Sequence, residues 1–205
     1  MEITSQDALL VVDVQIDFCP GGALPVPDGD AVIPVILSLA GQFGHLLLTQ
    51  DWHPPGHCSF ASSHPGRQPF DLDPVSGERL WPDHCVQGTR GAELHPALHL
   101  PQAELILRKG FRQEIDSYSA FFENDRTTPT GLAAYARERG FQRFFFAGLA
   151  FDFCVGFSAL DARRCGFEAV VIRDACRGID ADGSMAAMES DLLRAGVTLT
   201  LSRDI

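Results

Sequence analysis

FQRFFFAGLAFDFCVGFSALDARRCGFEAVVI, residues Phe141 to Ile172, decides the fold. Its apolar run Phe144-Phe145-Phe146 has no polar alternation, which reads as a strand buried on both faces. A helical stretch follows from about Phe153 through Ala159 and Leu160 and closes at Gly166, a residue suited to ending a helix. Ala169-Val170-Val171-Ile172 is then a second buried strand. Outward from this unit the same alternation continues. Helical stretches also close on Gly140 and Gly196, and Val197-Thr198-Leu199-Thr200-Leu201 follows the latter. Near the start, Ala8-Leu9-Leu10-Val11-Val12 reads as a strand, then a helix from about Asp30 to Phe43, then Leu46-Leu47-Leu48. Leu105-Ile106-Leu107 supplies one more run. Continuous apolar strands separated by amphipathic helices predict a three-layer α/β/α sandwich with a mainly parallel central sheet.

One segment breaks the alternation. From about residue 50 to 102 the chain is rich in Pro, Gly, His and Asp, without periodicity, yet it holds both tryptophans and most of the histidines. That is not a disordered composition, and long irregular segments in compact domains are usually functional. An ordered excursion over the end of the sheet is expected, within one domain spanning 1–205.

The net charge of −11 and the lack of any dense Lys/Arg cluster exclude nucleic acid and an anionic membrane surface as partners. No apolar run approaches the length of a membrane span. The start, Met1 through a polar stretch, resembles neither a signal nor a transit peptide. Cys19, Cys58, Cys85, Cys154, Cys165 and Cys176 contain no CxxC pair, so a reduced, cytoplasmic protein is expected.

In parallel α/β sheets, ligands bind beyond the carboxyl ends of the strands. Asp13 follows the first apolar run, Asp51 and His53 the second, Lys109 the third, and Cys154 the Phe-rich fourth. Lys109 is also the only lysine among sixteen basic residues. Its compact charge fits beside a buried carboxylate where a guanidinium fork would not. Singly, each residue has a structural reading: Asp13 as a turn residue, Cys154 as a small buried side chain. Together, acid, lysine and cysteine on one edge make an activated nucleophile. A helix N-terminus and an ammonium lower a thiol's pKa, and a carboxylate can take the thiol proton and return it to a leaving amine. Cys165 and Cys176, at a helix end and in a loop, read as structural.

Asp51-Trp52-His53 projects two ligand side chains to one side of an extended backbone, and His84 follows in Trp81-Pro82-Asp83-His84-Cys85. Asp plus two His suits zinc, iron or manganese with open positions left for water or substrate. His57 reads as a ligand, as a partner to a ligand, or as neither. Ser59 could orient a water on the metal. His64, His95 and His99 read as polar surface or supporting groups.

These motifs resemble those of the nicotinamidases, or pyrazinamidases, of the isochorismatase-like cysteine hydrolase superfamily. The resemblance covers nearly the whole chain. It is carried by Val12-Asp13-Val14-Gln15-Ile16-Asp17-Phe18, Gln50-Asp51-Trp52-His53-Pro54, His57 through Ser59-Phe60-Ala61 and Leu80 through Thr89. Lys109-Gly110, Asp116-Ser117-Tyr118-Ser119-Ala120-Phe121 and Gly148 through Val155 complete it. Asp13, Lys109 and Cys154 alone would specify only the superfamily; the Asp-x-His with the later Trp-Pro-x-His points to the nicotinamidase branch.

The resemblance implies hydrolysis of the small amide nicotinamide to nicotinate and ammonia, in NAD salvage, with pyrazinamide as a further substrate. Cys154 is then the nucleophile, Asp13 the general base and acid, and Lys109 the group holding Asp13. Asp51, His53 and His84 become ligands of a divalent metal, zinc first, with His57 and Ser59 as possible parts of its surroundings. A cis peptide would fall at Leu149-Ala150, with an oxyanion hole from the N–H groups of Ala150 and Cys154. Phe18 and Trp81 would sandwich the pyridine ring. Two residues depart from the family's usual pattern: Phe151 stands where a small polar residue is expected, and Phe153 where Tyr or His is more usual. Phe151 either narrows the pocket or packs beneath the turn. The rival readings are an amidohydrolase of carbamoyl or ureido substrates, which would not need the metal ligands, and a non-catalytic metal- or ligand-binding protein. A homo-oligomer is compatible with this enzyme class, without an interface signature in the sequence.

Overall fold

The fold follows from six runs that alternate between two buried faces. A computed structural model describes residues 1–205. The strands are β1 (Asp7–Val12), β2 (His45–Asp51), β3 (Leu105–Lys109), β4 (Arg143–Gly148), β5 (Glu168–Cys176) and β6 (Thr198–Thr200). All pair in parallel, in the order β3-β2-β1-β4-β5-β6. The helices are α1 (Val32–Ala40), α2 (Leu132–Arg139), α3 (Gly156–Arg164) and α4 (Ser184–Arg194).

Successive strand residues point to opposite faces. Leu9, Val11, Leu46, Leu48, Phe145, Val170 and Ile172 pack in one cluster with α1 and with Trp81, Cys85 and Leu98 of the excursion. Ala8, Leu10, Leu47, Phe144, Phe146, Ala169 and Val171 pack in the other, against α2, α3 and α4. One helix on one side and three on the other complete the three layers. Each fully buried Phe or Leu contributes roughly 1.5–3 kcal/mol, and Phe144, Phe145 and Phe146 are all fully buried. β3 is an edge strand and differs: Ile106 is half exposed, and only Lys109 at its end is fully buried.

The excursion is ordered by short 3₁₀ turns at Ala61–Ser63 and Arg90–Ala92 and by isolated bridges such as His53 to Val86 and Phe60 to Trp81. It starts slightly later than the sequence suggests, because Gln50 and Asp51 still belong to β2. No helix is long and apolar enough to cross a membrane, and all six cysteines are free thiols.

The strand order reverses at β1, whose neighbours are β2 and β4. Such a reversal opens a crevice beyond the strand ends, where side chains can converge. Register fixes which residues meet there: Val12 lies beside Gly148, and Asp51 beside Lys109. Gly148 has φ +117, and a Cβ on it would collide with the Val12 carbonyl. Only glycine lets β4 leave the sheet this close to β1.

Candidate active site

Asp13 is the first residue past β1, in the left-handed region at φ +47, a conformation Asp tolerates better than most residues. Its backbone N–H donates to Thr49 Oγ1 at 3.1 Å, and Thr49 Oγ1–H donates back to Asp13 Oδ1 at 2.6 Å. Lys109, fully buried at the end of β3, places Nζ 2.9 Å from Asp13 Oδ2 and 2.5 Å from Asp51 Oδ1. It also donates to Ser117 O at 2.9 Å and lies 3.3 Å from Cys154 Sγ. The structure therefore brings Asp13, Lys109 and Cys154 together and adds a link not expected from sequence: the same ammonium also holds Asp51.

Cys154 sits in a π-helical turn, Phe151–Val155, that leads into α3. The turn follows the Leu149-Ala150 peptide, which is cis. Ala150 lines the cavity beside Cys154, and its N–H donates to no protein acceptor.

Electrostatics correct one expectation. Burial pushes the Cys154 thiol well above its ordinary pKa, and the pull of Lys109 does not offset it. The sulfur keeps its proton at rest, because desolvation of an anion outweighs one nearby cation that is already shared by two carboxylates. Burial also raises the Asp13 carboxyl to about 6, against Lys109. Lys109 itself is burdened by burial, but Asp13 and Asp51 hold it well above the usual lysine range. A neutral thiol beside a carboxyl poised near neutrality is an arrangement for proton transfer.

Asp51 divides its oxygens. Oδ1 takes Lys109, while Oδ2 faces His53 Nε2 at 3.8 Å and His84 Nε2 at 4.0 Å. His53 donates Nδ1–H to Gly110 O at 2.9 Å, and His84 donates Nδ1–H to Pro82 O at 2.8 Å. Both Nε2 atoms are thus left as lone pairs aimed at one carboxylate oxygen. Burial lowers both histidines, His53 to about 3, so neither carries a proton there. Burial raises Asp51, but Lys109 and the two imidazoles outweigh it and keep the carboxyl below its usual range. Three buried donors within 4.8 Å of one another, with no hydrogen to share between them, fit a divalent cation.

His57 is placed differently. Its Nε2–H donates to Ile115 O at 3.2 Å and its Nδ1 accepts from Ser59 Oγ at 2.8 Å, while its ring stacks on His53 at 4.3 Å. It lies within ligand distance of His53 and Asp116, not of the Asp51–His84 pair. Ser59 spends its hydroxyl on His57. Among the histidines assigned no metal role, His64 binds Cys58 O at 2.7 Å within the excursion.

The cavity between these groups is lined by Phe18, Trp81, Tyr118, Phe153, Leu24 and Ile179, with Cys154 and Ala150 at one part and Asp51, His53, His84 and Asp116 at another. Trp81 meets Phe153 edge-on at 4.9 Å and donates Nε1–H to Tyr118 OH at 3.1 Å. Phe151 is fully buried in the core on the α3 face with the Arg173 guanidinium 4.3 Å over its ring, so it packs beneath the turn. Phe153 is the departing residue that reaches the cavity. The sequence reading gives no role to Thr49, Leu24, Asp116, Tyr118 or Ile179. A polar Thr inside the β2 run and the Asp-Ser-Tyr-Ser stretch were the available signals.

Residues 7–203 match the Isochorismatase domain family. A nicotinamidase of Acinetobacter baylyi is 52% identical, over 100% of this chain and 97% of its own. A solved nicotinamidase/pyrazinamidase of Acinetobacter baumannii superposes with a TM-score of 0.97 at 52% identity, over 98% of both chains. The pyrazinamidase of Pyrococcus horikoshii in complex with zinc is 35% identical with a TM-score of 0.78, over 96% of this chain and 99% of that one.

Proposed function

Because the chain belongs to the isochorismatase family, we propose that it hydrolyses nicotinamide to nicotinate and ammonia through a thioester on Cys154. The observation that carries this is the convergence of Asp13, Lys109 and Cys154 at one cavity with Asp51, His53 and His84. The chain acts as one domain over 1–205; β2 supplies Asp51 to the metal side of the pocket and the excursion supplies His53 and His84.

The residues divide the work. Phe18 and Trp81 hold the pyridine ring, with Tyr118 and Phe153 bracing Trp81. Asp51, His53 and His84 would hold a divalent ion, for which zinc, iron and manganese all suit the donor set. When bound, that ion supplies a positive anchor that fixes the ring's orientation. Asp13 takes the Cys154 thiol proton, and Sγ attacks the amide carbon. The oxyanion lies against the N–H groups of Ala150 and Cys154. Asp13 passes its proton to the departing nitrogen, the C–N bond breaks and ammonia leaves. Asp13 then takes a proton from water, the hydroxide attacks the thioester carbon, and the C–S bond breaks. The proton returns to sulfur, and the acid leaves as nicotinate, its own proton passing through solvent to ammonia. Lys109 keeps its charge throughout and offsets the negative charge that moves between Asp13 and Sγ. Splitting amide hydrolysis into two covalent steps is the chemical gain.

Ammonia release from nicotinamide by the purified protein tests this, beside Cys154→Ala and a chelated sample. Turnover in the parent and none in the variant is expected. No turnover with zinc, iron or manganese supplied would contradict the reading.

A further inference from the structure

Asp116 is buried, lines the cavity, and has no task in the reaction as described. Its Oδ1 accepts the Ser117 N–H at 2.8 Å, while its Oδ2 is buried with no hydrogen-bond partner in the protein. No lysine, arginine or histidine pairs with it: Lys109 is committed to Asp13, Asp51 and the Ser117 carbonyl, and Arg112 to Glu123. His57 donates Nε2–H to Ile115 O instead, and His53 donates Nδ1–H to Gly110 O. A buried carboxylate oxygen without a donor is among the costlier features a fold can hold; burial pushes the Asp116 carboxyl up to about 7, and a donor in the cavity relieves that cost.

The position says with what. The Asp116 carboxylate lies within 4.8 Å of ring nitrogens of His53 and His57, but it does not belong to the set formed by Asp51, His53 and His84. It therefore stands beside the candidate ion site, one step outside it. Three protein donors leave a divalent ion with open positions that water fills. Nicotinamide's ring nitrogen offers no hydrogen to a carboxylate, whereas such a water does. Resting on the metal-dependent nicotinamidase reading, we infer that Asp116 is a positioning residue of the ion site: its Oδ2 accepts a hydrogen bond from water held there. Ionised beside the cation, it would add a second negative charge there and fix the water against which the ring docks.

The test compares parent, Asp116→Asn and Asp116→Glu proteins, loaded with Zn²⁺ or Co²⁺. Zn²⁺ retention is measured against a chromophoric chelator, the Co²⁺ site by its visible absorption, and folding by the melting temperature with and without metal. Partners of this kind typically govern metal affinity by about 10–100-fold. Asp116→Asn is therefore expected to weaken Zn²⁺ by that factor and to alter the Co²⁺ spectrum. The melting temperature of the metal-free protein should be unchanged or raised, and Asp116→Glu should recover part of the affinity. Parental Zn²⁺ affinity and an unaltered Co²⁺ spectrum in Asp116→Asn would overturn the inference. So would equal losses of melting temperature with and without metal, which would assign Asp116 to packing. Ammonia release by the parent separates the two claims. Weakened metal binding in Asp116→Asn beside a parent that does not hydrolyse nicotinamide leaves Asp116 at the ion site and removes the substrate, whereas full parental turnover with unaltered metal binding in Asp116→Asn removes the Asp116 role alone.

Discussion

Gly110→Ala puts one methyl group against the candidate ion site. Gly110 follows Lys109, has φ +65, and accepts the His53 Nδ1–H on its carbonyl. An added Cβ would lie 2.5 Å from His53 Cε1 and 2.7 Å from Nδ1. To regain ordinary contact at 3.4 Å the ring must retreat by roughly 0.9 Å. His53 is fully buried, with His57 stacked on it and Phe60 and His84 edge-on, so retreat means tilting Nε2 away from Asp51. Disturbing the partner that orients a ligating imidazole typically costs about 10–100-fold in metal affinity. The left-handed backbone adds about 1–2 kcal/mol of strain, or roughly 2–8 °C in Tm for a chain of this size. Gly140→Ala is the control: its φ is +76, but nothing lies within 4 Å of its Cβ. Both variants should melt lower, and only Gly110→Ala should lose Zn²⁺ to a competing chelator. Parental Zn²⁺ affinity in Gly110→Ala would refute the placement of His53 as a ligand held by Gly110.

Further outcomes follow from the charges and packing. Burial sets Asp13 at about 6 against the pull of Lys109, and a base works only when ionised. kcat/KM should therefore fall about tenfold per unit below pH 6. Thr49→Val removes the 2.6 Å donor to Asp13 Oδ1, which favours the ionised form. This should move that acid limb to higher pH and cost about 1–3 kcal/mol of stability, read by denaturant unfolding. Lys109→Met leaves Asp13 and Asp51 buried without their cation. A loss of about 3–5 kcal/mol is expected at pH 7, shrinking as pH falls, because protonation removes the unpaired charges. Phe151→Leu should lower Tm through lost core packing on the order of 1 kcal/mol while leaving KM for nicotinamide unchanged, since Phe151 packs beneath the turn.

Much of this arrangement is legible in the chain. The strands are legible because both faces of the sheet are covered, which makes the runs continuous rather than alternating. Lys109 stands out by composition and Asp51-Trp52-His53 by spacing, and the strand-end rule places all of them on one edge. His84 is legible only by its motif, since the excursion that delivers it has no period. What stays hidden depends on tertiary burial. The Cys154 thiol sits higher, not lower, because no sequence pattern gives the depth at which a side chain comes to rest. The link from Lys109 to Asp51 arises from β2–β3 register. Tyr118, Ile179 and Asp116 enter the cavity from loops, where neither period nor strand end marks them.

In the proposed reaction Cys154 carries the acyl group between the two halves. Intact mass spectrometry of protein quenched in acid during nicotinamide turnover decides this. A species heavier by one nicotinoyl group is expected, located on the peptide containing Cys154 and absent from Cys154→Ala. Sustained ammonia release by Cys154→Ala, with no acylated species in the parent, would contradict it.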